Sequence, residues 1–466
     1  MMKELSCLEA AKAVGGTFYG SKEAGDVCIK GVAVDSRKVP ENGLFVAIAG
    51  EHVDGHKFIP SVLENGAACA LSEQKLTDVE PYILVDNTQR ALRDLAEYYR
   101  QKLDVTVVGV TGSVGKTSTK EMLASVLSQK YQVQKTAGNF NNEIGLPLTV
   151  FTIGTEHEIA ILEMGISDFG EMSRLAKIAR PDYMVITNIG QCHLENLKTR
   201  DGILRAKTEC FEYMKDSSKI ILNGDDDKLS GIKSVPGKEL HFFSFSNASC
   251  DAYASDVQNR QLYGSDAVIH LKNGEAEERF PVHISLPGDH MVMNAVAAAL
   301  LGHLLGLDDE QIAEGIAGVE AMDGRGKMIR TERYTLIDSC YNANPKAVKA
   351  ELDLLACANT RKVALLGDML ELGNNEKDLH YEVGNYACKR GIDVLICVGT
   401  LSEYTAKGAQ ESDDKDGTEV YYFADKPAFM KTADAILRED DTVLIKASNG
   451  SGFRELLDYL SASKSF

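Results

Sequence analysis

The chain has 466 residues, of which 44% are hydrophobic and 26% are charged. That balance is typical of a globular protein with buried cores and argues against a disordered or fibrous chain. With 50 lysines and arginines against 69 aspartates and glutamates, the net charge is −19. Because nucleic acids and anionic lipids bind mainly through lysine and arginine, we expect neither as a partner. A small phosphorylated ligand held by backbone amides stays open.

The sequence also limits the compartment in which the protein works. No segment approaches the roughly 18 consecutive apolar residues of a membrane span, and the first residues lack the apolar region of a secretory signal. The ten cysteines form no Cys-x-x-Cys pair, which argues against zinc ribbons and a disulfide framework. We therefore expect a cytoplasmic protein with reduced thiols.

Residues 1–100 contain short strand-like and helical segments separated by turns. Cys28–Val34 and Leu44–Ile48 are strand-like, and Gln89–Leu103 has the apolar spacing of a helix. From residue 104, apolar strands alternate with helices, which favours a parallel sheet covered on both faces. The segments predicted there are the strands Val105–Val110, Ile159–Met164, Met184–Ile186 and Ile220–Leu222 and the helix Lys116–Gln129.

The later part of the chain first interrupts this alternation and then resumes it. His241–Leu286 has hairpin-like alternation around Asn273-Gly274, a turn dipeptide. A third α/β region starts near Asp323, and one of its helices is predicted to begin at Pro345 with Asn344 as its cap. The other segments predicted here are the helices Met291–Leu305 and Asp309–Gly318 and the strands Tyr334–Ile337, Val363–Leu366, Val394–Val398, Tyr421–Phe423 and Thr442–Ile445. We predict three α/β domains, over residues 1–100, 101–322 and 323–466.

A glycine-rich turn between a strand and a helix predicts a phosphate-binding loop. Its residues are Thr111, Gly112, Ser113, Val114, Gly115, Lys116, Thr117 and Ser118. In this context the backbone amides at the helix start point at phosphate, the lysine neutralises its charge and the threonine hydroxyl coordinates Mg²⁺. Val110 replaces the first glycine of the common motif, so the alternative is a glycine turn with an exposed lysine. We predict an ATP or GTP site.

Polar residues follow the other predicted strands. Ligands bind at the carboxyl ends of parallel strands, where Glu163 follows one strand and Thr187, Asn188 and His193 follow the next. Glu163 is a candidate magnesium ligand, the alternative being a solvated strand-end carboxylate. For His193 a metal ligand and a simple hydrogen-bonding role are equally open. Lys207 has the pattern of an exposed helical lysine.

Several strings occur in order along the chain: TGSVGKTS, GNFNNEIGLP, LEMG, TNIGQCHLE, AKTE, YNANP and GDMLELG. Taken together, they resemble the Mur ligases. YNANP and GDMLELG, with NNEIGLP and His380, resemble in particular the branch of that family that adds D-alanyl-D-alanine to UDP-N-acetylmuramoyl-tripeptide. The amino-terminal DSRK and GEHVDGHKF resemble the nucleotide-sugar domain of the same enzymes.

The resemblance implies a fold and a reaction. The fold is a central P-loop parallel-sheet ATPase domain, flanked by an N-terminal α/β nucleotide-sugar domain and a C-terminal Rossmann-like domain. The reaction is ATP-dependent amide synthesis for peptidoglycan: a substrate carboxylate takes the γ-phosphoryl group, and the amine of D-alanyl-D-alanine then displaces phosphate. The expected partners are these small molecules, and the expected state is a monomer.

The resemblance also assigns roles residue by residue. Lys116, Glu163, His193 and Lys207 are the implied catalytic residues. The phosphate loop with Asn294, Arg325, Asp338 and Tyr341 would bind ATP. Two Mg²⁺ ions would be held by Thr117, Glu163, His193 and a carbamylated Lys207. The implied substrate-binding residues are Ser36, Arg37, Asp54, His56, Asn139, Asn142, Asn342 and Asn344, although turn chemistry explains the first four equally well and a helix cap explains the last.

Three positions depart from the family pattern, and two rival functions stay open. Met291 follows His290 where relatives often have asparagine, Asp338–Cys340 lacks a second acidic or small pair, and Asn449 stands where arginine is common. Lys446 or Arg454 could substitute for that arginine. One rival is a sister Mur-type or folylpolyglutamate-type ligase that adds another amino acid. The other is a non-catalytic nucleotide-binding relative.

Overall fold

The computed structural model describes residues 2–50, 53–274, 276–320, 324 and 326–462. The strands are β1 Thr17–Tyr19, β2 Val32–Ala33, β3 Leu44–Val46, β4 Cys69–Ser72, β5 Tyr82–Leu84, β6 Thr106–Thr111, β7 Val133–Lys135, β8 Ile159–Glu163, β9 Tyr183–Ile186, β10 Lys219–Asn223, β11 Glu239–Ser244, β12 Ala252–Asn259, β13 Ser265–Asn273, β14 Ala276–Ile284, β15 Lys327–Arg330, β16 Thr335–Ser339, β17 Lys362–Gly367, β18 Val394–Val398, β19 Glu419–Phe423 and β20 Thr442–Lys446.

The α-helices alternate with these strands through most of the chain. They are α1 Cys7–Ala13, α2 Lys22–Gly25, α3 Ile59–Glu64, α4 Thr88–Lys102, α5 Lys116–Leu127, α6 Gly145–Phe151, α7 Glu171–Ala179, α8 Leu194–Leu197, α9 Arg200–Thr208, α10 Asp289–Leu304, α11 Asp309–Ala317, α12 Pro345–Ala356, α13 Glu376–Lys389, α14 Ser402–Gln410, α15 Lys426–Met430, α16 Ala433–Ile436 and α17 Arg454–Ser461. In the part of the chain that the structure covers, no helix has both the length and the apolar character to cross a membrane.

The strands form three sheets, which confirms the α/β fold class. The five-stranded sheet has the order β1-β5-β4-β3-β2, and the nine-stranded sheet has the order β14-β13-β12-β11-β10-β9-β6-β8-β7. The six-stranded sheet has the order β15-β16-β20-β17-β18-β19. In this last sheet only the edge strand β15 is antiparallel to its neighbour, as the alternation of strands and helices favours.

The register of the nine-stranded sheet brings the functional segments together. β6 lies between β8 and β9 and is parallel to both. Val110 is opposite Glu163, and Thr111 is opposite Ile186. Strands β6, β8 and β9 therefore end at the same edge, so Glu163 and the segment after Ile186 flank the glycine-rich turn. This is the juxtaposition that the strand-end argument predicts.

By its internal contacts the chain divides into two compact units. The first comprises Met1–Ser255, Val268–Val282 and Val292–Ala317, and the second comprises Asp256–Ala267, His283–Met291 and Gly318–Phe466. One hydrophobic core in the first unit joins side chains of α1 and α4 to those of α6, α7 and the nine-stranded sheet. In the second unit, one apolar cluster includes Phe429 and Leu456 and another includes Val348 and Val383, both with side chains of the six-stranded sheet.

Local sequence signals place several boundaries correctly. Helix α12 begins at Pro345, and the Asn344 side chain accepts a hydrogen bond from the Ala347 amide at 2.9 Å, so the predicted cap is confirmed. β13 ends at Asn273 and β14 begins at Ala276, as the turn dipeptide predicts. The parallel sheet extends further than the sequence indicates, because β11, in the region predicted as a hairpin, still pairs in parallel with β10.

Candidate nucleotide and metal site

The turn between β6 and α5 depends on two glycines. Gly112 has a φ of 153°, and a Cβ atom there would lie 1.9 Å from the Thr187 hydroxyl oxygen. Gly115 has a φ of 82° and is the N-cap of α5. Thr111 donates a hydrogen bond to the Met164 carbonyl at 2.7 Å. A side chain is therefore excluded by contact at Gly112 and disfavoured by the positive φ at Gly115, as expected where a backbone must wrap closely.

Lys116 is the first residue of α5 and extends back across the turn. Its Nζ donates a hydrogen bond to the Gly112 carbonyl at 2.9 Å and lies 3.5 Å from the Ser113 carbonyl. The side chain is half-buried. The ammonium therefore lies inside the concave side of the loop, where it can neutralise phosphate charge.

The segment after β9 holds the loop from the other side. Asn188 accepts a hydrogen bond from the Val114 amide at 3.1 Å and donates one to the Val114 carbonyl at 2.9 Å. The Thr187 hydroxyl donates to the same carbonyl at 2.7 Å. The Ser113 hydroxyl accepts from the Gly190 amide at 2.9 Å. Thr187 and Asn188, which the sequence places at a strand end, thus contact the loop directly.

Glu163 ends β8 beside this loop and is almost fully buried, with 2% exposure. Its Oε1 atom accepts hydrogen bonds from Asn141 Nδ2 at 2.8 Å and from the Thr117 hydroxyl at 3.3 Å. Its Oε2 atom is buried and has no hydrogen-bond partner among the described residues. Two of the predicted metal ligands, Thr117 and Glu163, are therefore in contact.

A second lysine of α5, Lys120, is buried next to Glu163, and its burial is not predicted from the sequence. Lys120 has 0% exposure. Its Nζ donates to the Thr136 carbonyl at 2.6 Å and forms ion pairs with Glu121 Oε1 at 3.0 Å and Glu163 Oε2 at 3.8 Å. The available signal was the Lys120-Glu121 pair, which follows the glycine-rich motif after Thr119, but lysine and glutamate on a helix are usually exposed.

Lys207 is also buried, so the expectation of an exposed helical lysine is wrong. It lies in the last turn of α9 with 1% exposure. Burial, with a further contribution from the charge of Lys116, lowers the pKa of Lys207 from 10.5 to about 7. A large share of its amine is therefore neutral, and hence nucleophilic, at neutral pH.

Two further predicted site residues, His193 and Asn294, differ in their burial. His193 has a φ of 50°, precedes α8 as its N-cap residue and is exposed. Within the described ranges, no three or more His, Cys, Asp and Glu side chains come together in an arrangement suited to a metal ion. Asn294 on α10 is buried, and its Oδ1 accepts a hydrogen bond from the Thr119 hydroxyl at 2.9 Å. Asn294 therefore contacts the same helix that carries Lys116.

The predicted ribose residue Asp338 lies in the second unit and is fully buried. Its carboxylate accepts hydrogen bonds from the Gly324 amide at 2.7 Å and the Cys340 amide at 3.2 Å, and Arg454 lies 3.1 Å away. The Tyr341 amide donates to the Gly324 carbonyl at 3.1 Å. Arg454 thus contacts a predicted ATP residue. Arg325, another predicted ATP residue, lies outside the described residues.

The predicted substrate residues near the amino terminus make local contacts. Asp35 forms two hydrogen bonds with the Arg37 guanidinium, at 2.9 and 2.8 Å, which lower the pKa of Asp35 to about 2. Ser36 is half-buried and begins the short 3-10 helix Ser36–Lys38, which also contains Arg37. His56 is buried; its Nδ1 is 2.6 Å from Asp54 Oδ1, and its Nε2 accepts from the Glu73 amide at 3.0 Å. The proton therefore lies on Nδ1, since Nε2 is an acceptor.

The four predicted asparagines differ in what they already bind. Asn142 Oδ1 accepts hydrogen bonds from the Ile144 and Gly145 amides at the start of α6, and Asn344 caps α12. Asn342 Oδ1 accepts from the Ala343 amide, and the Asn342 carbonyl accepts from Lys446 Nζ at 3.1 Å. Asn139 and Asn342 are exposed. Exposure leaves these two side chains accessible to a ligand.

Comparison with known proteins gives matches along nearly the whole chain. Residues 28–100 match the Mur ligase family catalytic domain, residues 110–302 the Mur ligase middle domain, and residues 324–449 the Mur ligase glutamate ligase domain. The UDP-N-acetylmuramoyl-tripeptide–D-alanyl-D-alanine ligase of Bacillus subtilis is 36% identical over 441 residues, which cover 93% of this chain and 94% of that protein. The enzyme of the same name from Escherichia coli is 32% identical, covering 94% and 95%.

Solved structures agree with the sequence matches. MurF from Acinetobacter baumannii superimposes with a TM-score of 0.87 at 27% identity, covering 99% of this chain and 100% of that one. MurF ligase from Thermotoga maritima in complex with ADP gives a TM-score of 0.79 at 29% identity, covering 92% and 97%. Together with the glycine-rich loop and its flanking carboxylate, these similarities show that the chain belongs to the Mur ligase family.

Proposed function

We propose that the chain is an ATP-dependent ligase that joins D-alanyl-D-alanine to UDP-N-acetylmuramoyl-tripeptide during the synthesis of peptidoglycan precursors. The observation that carries the proposal is the loop between β6 and α5, with Lys116 on its concave side and Glu163 beside it. The names of the relatives that match over more than nine tenths of the chain supply the substrates. The family strings YNANP and GDMLELG favour this activity over that of a sister ligase.

The chemistry needs a way to activate a carboxylate, which is a poor electrophile at neutral pH. Transfer of the γ-phosphoryl group of ATP gives an acyl phosphate, from which phosphate leaves when the amine of D-alanyl-D-alanine attacks. The loop amides and the Lys116 ammonium would hold the ATP phosphates and offset the negative charge during transfer. Asn294, Asp338 and Tyr341 are the proposed contacts to the rest of the nucleotide, and Arg325 is a further one from the sequence.

The residues beside the loop fit a magnesium ion. Mg²⁺ prefers oxygen ligands. The almost fully buried Glu163 carboxylate contacts the Thr117 hydroxyl through Oε1, while its Oε2 atom has no hydrogen-bond partner in the described structure. Thr117 and Glu163 would hold one ion, and His193 and a modified Lys207 would contribute to a second. When bound, Mg²⁺ would neutralise phosphate charge and fix the phosphates for transfer.

Lys207 is proposed to be carbamylated. Carbon dioxide adds to a neutral amine, and the lowered pKa of Lys207 makes a large share of this amine neutral near pH 7. The nitrogen bonds to the carbon of CO₂ and loses one proton to solvent, so the product is an anionic carbamate whose oxygens can bind a cation. The protonated form of an unmodified Lys207 would instead place a second ammonium near Lys116.

Eight further residues are the proposed contacts to the substrates. Ser36, Arg37, Asp54 and His56 would face the uridine nucleotide sugar, and Asn139, Asn142, Asn342 and Asn344 would face the peptide or its acceptor. The domain boundaries at residues 100 and 322 remain predictions from the sequence, and residues 321–323 lie outside the described residues. We propose that the protein acts as a monomer in the cytoplasm.

A coupled assay of ADP release tests the proposal. The purified protein is given ATP, Mg²⁺ and UDP-N-acetylmuramoyl-tripeptide, with and without D-alanyl-D-alanine, and the product is identified by mass. ADP release that requires both substrates, with formation of the pentapeptide, supports the proposal. Turnover with a different amine supports a sister ligase. Nucleotide binding without turnover on any amine supports a non-catalytic relative.

A further inference from the structure

Lys120 is a fully buried ammonium that lies one helical turn beyond Thr117. Burial of an unpaired charge is costly, so such a group must be held by several partners. Lys120 has three: the Thr136 carbonyl at 2.6 Å, Glu121 Oε1 at 3.0 Å and Glu163 Oε2 at 3.8 Å. The first two would suffice to anchor the end of β7 to α5. The third connects the lysine to the proposed metal site.

Thr136 gives Lys120 a second connection to Glu163. The Thr136 carbonyl accepts from Lys120, while the Thr136 hydroxyl accepts from the Glu163 backbone amide at 2.9 Å. Lys120 therefore contacts the Glu163 carboxylate on its Oε2 side and also the residue that holds the Glu163 backbone. On the other side, Asn141 binds Oε1 at 2.8 Å. The carboxylate is thus held from both sides, with Oε1 toward Thr117.

We infer that Lys120 is a positioning residue for the metal site: it fixes the orientation of Glu163 so that the carboxylate and Thr117 can bind Mg²⁺ together. This inference rests on the proposed function, because that function supplies the metal. Groups that orient a metal ligand commonly change metal affinity by about 10- to 100-fold when they are replaced. Lys120 would therefore act on Mg²⁺ without contacting nucleotide.

Lys135 provides a matched control. It also pairs with Glu121, but it is 45% exposed and has no ion pair or hydrogen bond with Glu163. Replacing Lys120 with methionine and Glu121 with glutamine removes one positive and one negative charge, which avoids leaving Glu121 unpaired. The control, Lys135→Met with Glu121→Gln, makes the same change in net charge and loses the same glutamate.

The test measures ADP binding by calorimetry to the full-length protein, first in EDTA and then at increasing Mg²⁺, together with the thermal unfolding midpoint. We expect Lys120→Met/Glu121→Gln to raise the Mg²⁺ concentration that half-saturates the metal-dependent binding by about tenfold or more. ADP affinity in EDTA and the Mg²⁺ dependence of the control should stay within about twofold of the wild type. A Mg²⁺ dependence equal to that of the control, in a folded protein, overturns the inference.

If the double variant is unfolded at the assay temperature, the variant Lys120→Gln is used to test the inference instead. Glutamine can still donate to the Thr136 carbonyl but has no charge for Glu163. A wild-type Mg²⁺ dependence in this variant overturns the inference, and a weakened one supports it. If the wild-type protein itself shows no Mg²⁺-dependent ADP binding, the proposed function fails, whatever the variants do.

Discussion

Lys116 Nζ lies 2.9 Å from the carbonyl oxygen of Gly112, four residues earlier in the chain. The lysine therefore points back into its own loop rather than out to solvent. Because a lysine ammonium has three protons, it can donate to a loop carbonyl and to a phosphate at the same time. The same side chain can thus stabilise the turn and bind the ligand of that turn.

Replacing Lys116 with methionine should abolish ligation while leaving the fold intact. The loss of one positively charged donor at a phosphoryl group is worth about 100- to 1,000-fold in rate, whereas one half-buried hydrogen bond contributes only about 1 kcal/mol to the free energy of unfolding. ADP release and urea unfolding measure the two effects. Lys130→Met is the control, since Lys130 also donates to a backbone carbonyl, that of Gly306, close to the other end of α5. Near-normal turnover in Lys116→Met would contradict the phosphate-loop assignment.

Lys207 should take up labelled carbon dioxide in a pH-dependent way. With its pKa lowered to about 7 by burial, the amine is largely protonated at pH 6 and largely neutral at pH 8. Carbon-13 NMR of protein in labelled bicarbonate should therefore show a carbamate signal at pH 8 that weakens strongly at pH 6. The signal should be missing from Lys207→Met. A wild-type spectrum at pH 8 that matches this variant would rule out the carbamate.

The same lowered pKa predicts how stability changes with pH. Between about pH 7 and 10.5 the unfolded chain holds a proton on Lys207 that the unmodified folded protein has lost. Lys207 therefore increases the free energy of unfolding as pH rises through that window. Below the window, the folded protein bears the full cost of burying the ammonium. In bicarbonate-free buffer, Lys207→Met should be more stable than the wild type at pH 6, with the difference shrinking toward pH 10. A difference that does not change with pH would contradict the shift.

His56→Ala, a substitution in the region of the five-stranded sheet, should lower the free energy of unfolding of the protein. The substitution removes the acceptor of the Glu73 amide and the Nδ1 partner of Asp54, and each lost hydrogen bond costs about 0.5–1.5 kcal/mol. Urea unfolding measures the loss, with the exposed neighbour Lys57→Ala as control. If His56 also binds the nucleotide sugar, the KM for that substrate rises in protein that is still folded. An unchanged free energy of unfolding would show that these two hydrogen bonds do not matter for stability.

Cys192 should be protected from alkylation by nucleotide. Its thiol donates to the Ser113 hydroxyl at 3.2 Å and is half-buried, which places it against the loop. Cys28 and Cys357 are also half-buried but are not part of the loop, so they serve as internal controls. We expect Mg²⁺ and ADP to slow the reaction of Cys192 with iodoacetamide several-fold, as followed by peptide mass spectrometry. Equal protection at all three cysteines would indicate a global change rather than a ligand at the loop.

Sequence reasoning succeeded where the deciding interactions are local. The strand, glycine turn and helix around Lys116 lie within a short stretch of chain, and the Asn344 cap needs only the residues of its own first turn. It failed for Lys120 and Lys207, which look like ordinary helical lysines. Lys120 is buried because Thr136 and Glu163, 16 and 43 positions later, pack against it, and no local pattern encodes such long-range packing.

The hydrogen bonds of Thr187 and Asn188 to Val114 have a thermodynamic consequence. Both backbone groups of Val114 are bonded to the neighbouring strand's end, so the loop's curvature is built by the protein itself. A preorganised cradle spares its ligand the entropy of ordering a flexible segment. A substitution of Asn188 that removes its hydrogen bonds to Val114 should therefore make the binding entropy of nucleotide less favourable, even though Asn188 need not contact the ligand.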